Sequence, residues 1–491
     1  MLYFGRLLAL LSLAAALSAQ ETPAKPDDQS SNQQGAAAQT TTDATATDAG
    51  AKPATAAAIT PDAGDTDQTP PVNPGPGILS RTFTTTPLEN EQLRFRPYLS
   101  VMGIADNGLT GPTNSATQKI TNTLNYGTDL GFGIFGRRVL KHDTFELEFH
   151  GDAFAYSPDS NFDGGNYLLM ATYDHEFNRK ISLAFTENAS LFDNNYTLPN
   201  STTDLSLEGT GQLVTPNTQI FDNTSISVSS GVDLVIQQTN RLSFDLGGTG
   251  FMVHRESAIL YGDFGAQARA DANYRLTRHI TVGGYYGFTD FQFSNAFGST
   301  QTNTLGLEFS DELSKRVQLR LRVGGSHVFT IGTETIVLDP VIAAILGENS
   351  GLVAIHRTNY EPDLTAQLTR KFRTGTASVE FIENVSSGNG LILTSRHVTA
   401  SGHYDYSGLR RWAISISAAR DSLDTLGVSV GNYLSYLGSV SIGRTLSHGF
   451  QANLSGQYRH FDLSEVSFLR NAYRFSLGLT WTPGERPLKF N

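Results

Sequence analysis

The segment from Leu260 to Leu276, LYGDFGAQARADANYRL, alternates between apolar or small residues and polar residues. Its even-numbered positions read Leu, Gly, Phe, Ala, Ala, Ala, Ala, Tyr and Leu, whereas its odd-numbered positions include Asp263, Arg269 and Arg275. Because successive side chains of a β-strand point to opposite faces, this period of two predicts a strand with one apolar face and one charged face. The segment is longer than a typical soluble strand and long enough to cross a bilayer at a tilt.

The same alternation returns along the chain from about Leu93 to Trp481. Representative segments are Phe145–His150, Ile181–Phe185, Leu242–Leu246, Val317–Val323, Ala377–Phe381, Trp412–Ala418, Phe450–Tyr458 and Tyr473–Trp481. A soluble β-sandwich or β-helix is the alternative, but it would rarely keep an apolar stripe on every strand. The repetition therefore predicts an all-β fold, an antiparallel up-and-down transmembrane β-barrel of about 18 strands, with a range of roughly 16 to 20.

The connections between these segments alternate in length. Short connections rich in turn-forming residues are LKHD (140–143), FNRK (177–180), QTNR (238–241), LTRH (276–279), LSKR (313–316) and YSGLRR (406–411). Longer connections span 105–123, 193–223, 331–356 and 421–431. Short turns at one end and longer loops at the other end are typical of barrels of the outer membrane.

The N-terminal part has a different composition. A basic start, an apolar run from Leu7 to Leu17 and small residues after it predict a cleaved signal peptide over residues 1–19. Residues 20–92 are rich in Ala, Thr, Gln, Asp and Pro, and they predict a disordered linker because they offer little apolar area to bury. The barrel is expected over residues 93–491.

Composition excludes several classes of function. The chain has 0 cysteines, so disulfides, cysteine-bound metals and thiol nucleophiles are excluded. The formal net charge is -12 and no basic stripe is present, which argues against nucleic acid as a partner.

The motifs that could carry chemistry are weak. GFGIFG (131–136) matches a dinucleotide-binding string, but it stands in a strand pattern rather than before a helix. His397 and His403 fall on one strand face without a third metal ligand at suitable spacing. No G-x-S-x-G elbow is present. We therefore expect no enzyme activity, no catalytic residues, no metal site and no cofactor.

The charged faces of the predicted strands supply candidate pore-lining residues. These are Glu146, Glu148, Asp174, Glu176, Asp263, Arg269, Arg275, Arg320 and Arg322. Carboxylates are concentrated on the early strands and arginines on the middle strands. Two interpretations stay open: separate acidic and basic walls that create a transverse field across a pore, or mutual pairing that stiffens or plugs the barrel.

The connection 331–356 contains the segment IVLDPVIAAIL and is unusually apolar for an external loop. We expect a loop there that either folds into the lumen or packs against its own rim.

The signal peptide, the recurring alternating segments and the late aromatic segment YRFSLGLTW (473–481) resemble outer-membrane β-barrel proteins of Gram-negative-type bacteria. The size and pattern are similar to β-barrel porins, some of them associated with exopolysaccharide loci. The resemblance implies export to the outer membrane, contact with its lipid, and insertion by the barrel assembly machinery. Such barrels usually end on an aromatic residue, whereas here Phe490 is penultimate and Trp481 ends the last segment.

The function implied is passive diffusion of small polar solutes through a porin-like channel. The alternative is a non-enzymatic scaffold or export partner, for example for polysaccharide, that contacts periplasmic partners through the N-terminal arm. Both are compatible with an oligomer.

Overall fold

The computed structural model describes residues 90–107, 124–157, 163–193, 224–256, 260–294, 297–337, 350–406, 408–427, 431–464, 468–483 and 486–487. The predicted signal peptide, nearly all of the predicted linker, and Phe490 lie outside these ranges. Regular structure in the described part of the chain consists of β-strands alone. Within the same ranges, no helix combines the length and apolar character needed to cross a membrane.

Eighteen long strands follow one another along the chain, and a two-residue strand comes after them. Their bounds are β1 Asn90–Asp106, β2 Asn125–Val139, β3 Asp143–Ser157, β4 Gly164–Asn178, β5 Ile181–Phe192, β6 Ser225–Gln237, β7 Leu242–Arg255, β8 Gly262–Arg275, β9 Ile280–Ser294, β10 Ser299–Ser314, β11 Val317–Val337, β12 Ser350–Phe372, β13 Gly375–Ser386, β14 Ser395–Tyr406, β15 Trp412–Thr425, β16 Asn432–Thr445, β17 Phe450–Leu463, β18 Phe468–Trp481 and β19 Arg486–Pro487.

Each long strand pairs antiparallel with its neighbours in sequence, and the sheet closes where β1 pairs with β18. Leu99 shows the closure, because it stands opposite Phe132 of β2 and opposite Trp481 of β18. The short strand β19 pairs with the start of β1. Closure leaves no long strand with a free edge, so backbone groups find partners on both sides. The predicted antiparallel barrel of 18 strands is confirmed.

The alternation that predicted the strands sorts their side chains into two faces. In β8, Phe264 and Tyr274 are 45% and 41% exposed, whereas Asp263 and Asp271 are 2% and 7% exposed. Large apolar residues are exposed at alternate positions of other strands as well, for example Leu305, Leu307 and Leu477. The apolar set forms the outer surface of the barrel, and the polar set forms its inner face.

The two ends of the barrel differ. At one end, called the turn end, the connections are 140–142, 179–180, 238–241, 276–279, 315–316, 373–374, 407–411 and 446–449. At the other end, called the loop end, they are 107–124, 158–163, 193–224, 256–261, 295–298, 338–349, 387–394, 426–431 and 464–467. Outward aromatic residues near the turn end, Phe372, Trp412, Phe450 and Trp481, are partly exposed and form a belt typical of a membrane interface.

Two boundaries differ from the prediction. The connection expected over 331–356 is mostly strand, because β11 and β12 continue to Val337 and from Ser350 and pair with each other throughout. The expected loop is thereby reduced to residues 338–349, which lie outside the described ranges. The connection expected over 421–431 is likewise shortened, because β15 continues to Thr425. Local alternation could not show where these strands end, since a hairpin that extends beyond the membrane alternates in the same way as a strand that crosses it.

The two-face arrangement predicts opposite effects for adjacent residues of β12. Leu368 faces outward and is 43% exposed, and Gln367 faces the lumen beside Glu380 of β13. Leu368→Arg should lower the free energy of unfolding in lipid vesicles by about 2 kcal/mol, because it places a charge against hydrocarbon.

Urea titration of the vesicle-inserted barrel, followed by tryptophan fluorescence, measures this change. Gln367→Arg is the matched control and should shift stability much less. Equal losses for the two variants would contradict the assigned faces.

Candidate functional site: the inner face of the barrel

All nine sequence-predicted residues lie on the inner face, at positions that alternate with the exposed apolar residues. The structure does not bring them to one place. Glu146, Glu148, Asp174 and Glu176 lie on β3 and β4, and Asp263, Arg269, Arg275, Arg320 and Arg322 lie on β8 and β11.

The arginines of the middle strands face carboxylates of neighbouring strands. Arg269 on β8 pairs with Asp233 of β6 at 2.7 Å and with Asp245 of β7 at 3.6 Å. Arg322 on β11 pairs with Asp271 of β8 at 3.4 Å and with Glu308 of β10 at 4.0 Å. Each guanidinium therefore bridges two carboxylates, and this wall is a mixed network rather than a basic surface. Asp233, Asp245 and Glu308 were not singled out from the sequence, because only the barrel register places them beside the arginines.

Tyr285 of β9 connects this network to β12. Its hydroxyl donates to Asp363 at 2.5 Å, and the guanidinium of Arg322 lies 4.0 Å from the centre of its ring. The ring crosses two strands because Gly306 and Gly324 have no side chains there; a Cβ at either glycine would lie within 2.6 Å of the tyrosine. Tyr285 was missed from the sequence, since a tyrosine on an inner face carries no charge signal.

The early strands carry a more acidic wall. Glu146 of β3 pairs with Arg137 of β2 at 2.8 Å. Glu148 makes a short contact with His150, whose other ring nitrogen lies 3.0 Å from the hydroxyl of Tyr98. Asp174 and Glu176 follow on the inner face of β4, towards the turn end. The charges thus pair partly within each wall, which favours the pairing interpretation over fully separated walls.

The inner face of β15–β18 is rich in hydroxyl groups in its turn-end half, whereas Asp421, Arg459 and Arg474 stand on it nearer the loop end. Its side chains bond to each other: Ser417 with Ser439 at 2.7 Å, Ser455 with Ser476 at 2.5 Å, and Asn453 with Thr480 at 2.7 Å. In its turn-end half the lumen therefore has a charged wall over β6–β12 and a polar, uncharged wall over β15–β18.

The connection Ser387–Thr394, called the lumen loop, folds inward at the loop end. Its Gly390 carbonyl accepts a hydrogen bond from the backbone of Tyr261 at 3.0 Å, and Thr394 Oγ1 lies 2.5 Å from Thr300 Oγ1 of β10. Gly388 and Gly390 have φ of 74° and 89°, a left-handed conformation that permits the sharp turn.

Apolar side chains fix the lumen loop on two sides. Ile392 is 0% exposed and packs with Leu423, Tyr433, Phe461, Leu463 and Ala472 of β15–β18. Leu393 packs against Phe251, Phe291 and Phe293 of β7 and β9. The loop therefore spans part of the lumen from the β7–β10 side to the β15–β18 side. Its sequence, SGNGLILT, combines turn-forming residues with an apolar run. This combination was the sequence signal from which an inward-folding loop could have been predicted.

Asp263 is buried and does not face the solvent of the lumen. Its side chain is 2% exposed and pairs with Arg255 of β7 at 3.1 Å. Arg255 also donates to the carbonyl of Tyr261 at 2.6 Å, beside the point where Gly390 attaches. The pair thus lies behind the lumen loop and supports it.

The remaining motifs have structural roles in the described part of the chain. GFGIFG lies inside β2, which confirms the strand interpretation. His397 is 2% exposed and lies 2.8 Å from Thr399 Oγ1, and His403 contacts Asp405. Among the described residues, no group of three or more His, Asp or Glu side chains could hold a metal ion.

Comparisons with known proteins give only distant likeness. No protein-family model and no curated protein matches the sequence. Solved structures similar to this chain include Pseudomonas aeruginosa OccK5 (OpdH), with a TM-score of 0.40, 11% identity, and coverage of 82% of this chain and 99% of that one. P. aeruginosa OpdQ gives a TM-score of 0.40 at 12% identity, with 81% and 98% covered. Acinetobacter baumannii OccAB4 gives 0.40 at 10% identity, with 82% and 100% covered. Because these identities and TM-scores are low, the fold assignment rests on the strand pairing of this chain.

The Arg255–Asp263 pair predicts a stability effect. Asp263→Ala leaves a buried guanidinium without its carboxylate, which should cost about 3–5 kcal/mol. The temperature at which the folded band converts to the unfolded band on an unheated gel should fall accordingly. Glu176→Ala, at the exposed turn end of β4, is the control and should leave that temperature nearly unchanged. A small change in that temperature for Asp263→Ala would show that the Arg255–Asp263 pair is not needed for the stability of the barrel.

Proposed function

We propose that this chain is an outer-membrane channel through which small polar solutes diffuse passively. The observation that carries the proposal is the closed 18-stranded barrel, whose outer face is apolar and whose inner face carries charges and hydroxyl groups. A barrel of this strand number is wide enough to leave an aqueous lumen. An inner face that binds water and an outer face that binds hydrocarbon suit diffusion across a membrane.

The wall charges favour cations and neutral polar solutes over anions. Each central arginine faces two carboxylates, Arg269 with Asp233 and Asp245, and Arg322 with Asp271 and Glu308. The carboxylates Asp174 and Glu176 extend the negative surface towards the turn end. A lumen with excess negative charge concentrates cations and repels anions.

The lumen loop is the proposed narrow point of the path. It crosses the loop end between the β7–β10 side and the β15–β18 side, so solutes would pass between it and the wall formed by the early strands. On its inner face that wall carries Asp129, which pairs with Arg474 of β18 at 3.0 Å, and Asn188, which donates to Ser229 at 3.4 Å. Hydrogen-bonding groups at a narrow point select solutes by shape and polarity.

Conductance of the refolded chain in a planar bilayer tests the channel. We expect discrete steps, and in a salt gradient a reversal potential of the sign that marks cation preference. Arg320→Glu adds a carboxylate to the inner face of β11 and should increase that preference, whereas Leu321→Val on the outer face should not change it. A folded barrel without conductance steps would contradict the channel and favour the scaffold alternative.

Shortening the lumen loop tests the narrow point. Replacement of Asn389–Leu393 by a two-residue turn should raise single-channel conductance about twofold or more, because ion flow is limited by the narrowest cross-section. Shortening the turn-end connection 407–411 instead is the control and should leave conductance unchanged. Unchanged conductance in the first variant would place the narrow point elsewhere.

A further inference from the structure

Two charged residues on the outer face of the barrel lie where the surface should meet hydrocarbon. Glu187 of β5 is exposed and accepts a hydrogen bond from Ser230 of β6 at 2.6 Å. Arg420 of β15 is exposed as well. Within the described ranges, neither side chain has an ion-pair partner of opposite charge.

Their heights place both inside the apolar band. With a rise of about 3.3 Å per residue and a tilt of roughly 40°, Glu187 lies about 15 Å above the first residue of β5. The same estimate places Arg420 about 20 Å above Trp412, which belongs to the aromatic belt at the turn end. The apolar band of such barrels is about 25 Å tall, so lipid alone would leave two costly charges uncompensated.

Each charge stands in a flat patch of small residues. The acidic patch surrounds Glu187 and consists of Ala171, Ser230, Gly248, Gly250, Ala266 and Ala268 on β4–β8, and a second outward carboxylate, Asp290 of β9, borders it beside Ala266. The basic patch surrounds Arg420 and consists of the small residues Ala400, Gly402, Ala418 and Gly438 on β14–β16, with the larger Tyr436 beside Arg420 on β16. A Cβ added at Gly250, Gly402 or Gly438 would meet nothing within 4 Å, so both surfaces are open to close approach.

We propose that the acidic patch of one copy of this chain binds the basic patch of a second copy in the plane of the membrane. Small residues let two barrel walls approach closely, and the approach brings the Glu187 carboxylate against the Arg420 guanidinium. The two charges then leave hydrocarbon as an ion pair. The partner that binds each patch is a second copy of this chain, because one chain presents both a carboxylate and a guanidinium at similar heights, each in a flat surface.

The positions of the patches determine the kind of assembly. β6 and β15 lie half a circumference apart in the strand order of the closed barrel. A contact between two different surfaces is heterologous, and when those surfaces face opposite directions the contact repeats without closing. The proposal therefore predicts rows of barrels rather than a closed trimer.

Engineered cysteines test the contact, and the chain suits the method because it has 0 native cysteines. In vesicles containing the full-length chain, Ala171→Cys, beside Glu187, and Ala400→Cys, beside Arg420, are prepared as single variants and combined in one chain, so that both charges are kept. With a short bis-maleimide, a mixture of the two single variants should give dimers, and the combined variant should give a ladder of dimers, trimers and longer species. Each single variant alone should stay monomeric.

Charge reversal supplies a readout that does not depend on cross-linking. Glu187→Arg and Arg420→Glu should each abolish the oligomers seen on native gels, and the variant that carries both reversals should restore them. Arg138→Gln changes an exposed outward charge on β2 outside both patches and should leave assembly unchanged.

Several results would overturn the proposal. Cross-linking of Ala171→Cys to itself would show a symmetric contact instead, and absence of a ladder from the folded combined variant would show that no row forms. Failure of the double reversal to restore assembly would remove the ion pair from the contact. None of these outcomes depends on conductance, so they are separable from the test of the channel.

Discussion

The pairing of β1 with β18 is the interaction on which the rest of the structure depends. Without it, the two terminal strands would each leave a row of unpaired backbone groups, which hydrocarbon cannot solvate. With it, the sheet has an inside and an outside, and each strand must place its alternating residues accordingly. The outer band, the aromatic belt and the charged lumen all follow from that closure.

Closure also determines how the inner charges meet. Arg269 and Arg322 reach carboxylates on strands up to three positions away, since curvature of the wall brings inner side chains together. The same curvature lets Tyr285 reach Asp363 across the two glycines between them. The outer surface diverges instead, so outward charges such as Glu187 and Arg420 stand apart from side chains that could pair with them.

The lumen loop shows a second use of the enclosed space. A loop that stayed outside would expose Ile392 and Leu393, whereas inside the barrel they pack against side chains from two groups of strands. The backbone turn that this requires is supplied by Gly388 and Gly390 in left-handed conformations. The buried Arg255–Asp263 pair supports the loop from behind, so a position expected to line the pore contributes to the shape of the pore.

The sequence by itself determined the strands, their approximate number, their two faces and the arrangement of turns and loops. These features depend on local alternation and turn chemistry, which are visible residue by residue, as in Leu260–Leu276. Only the tertiary structure decided which charges pair, that Ser387–Thr394 enters the lumen while β11 and β12 extend beyond it, and that Asp263 is buried. Those outcomes depend on strand register and wall curvature, which join residues far apart in the chain and leave no periodic signal in it.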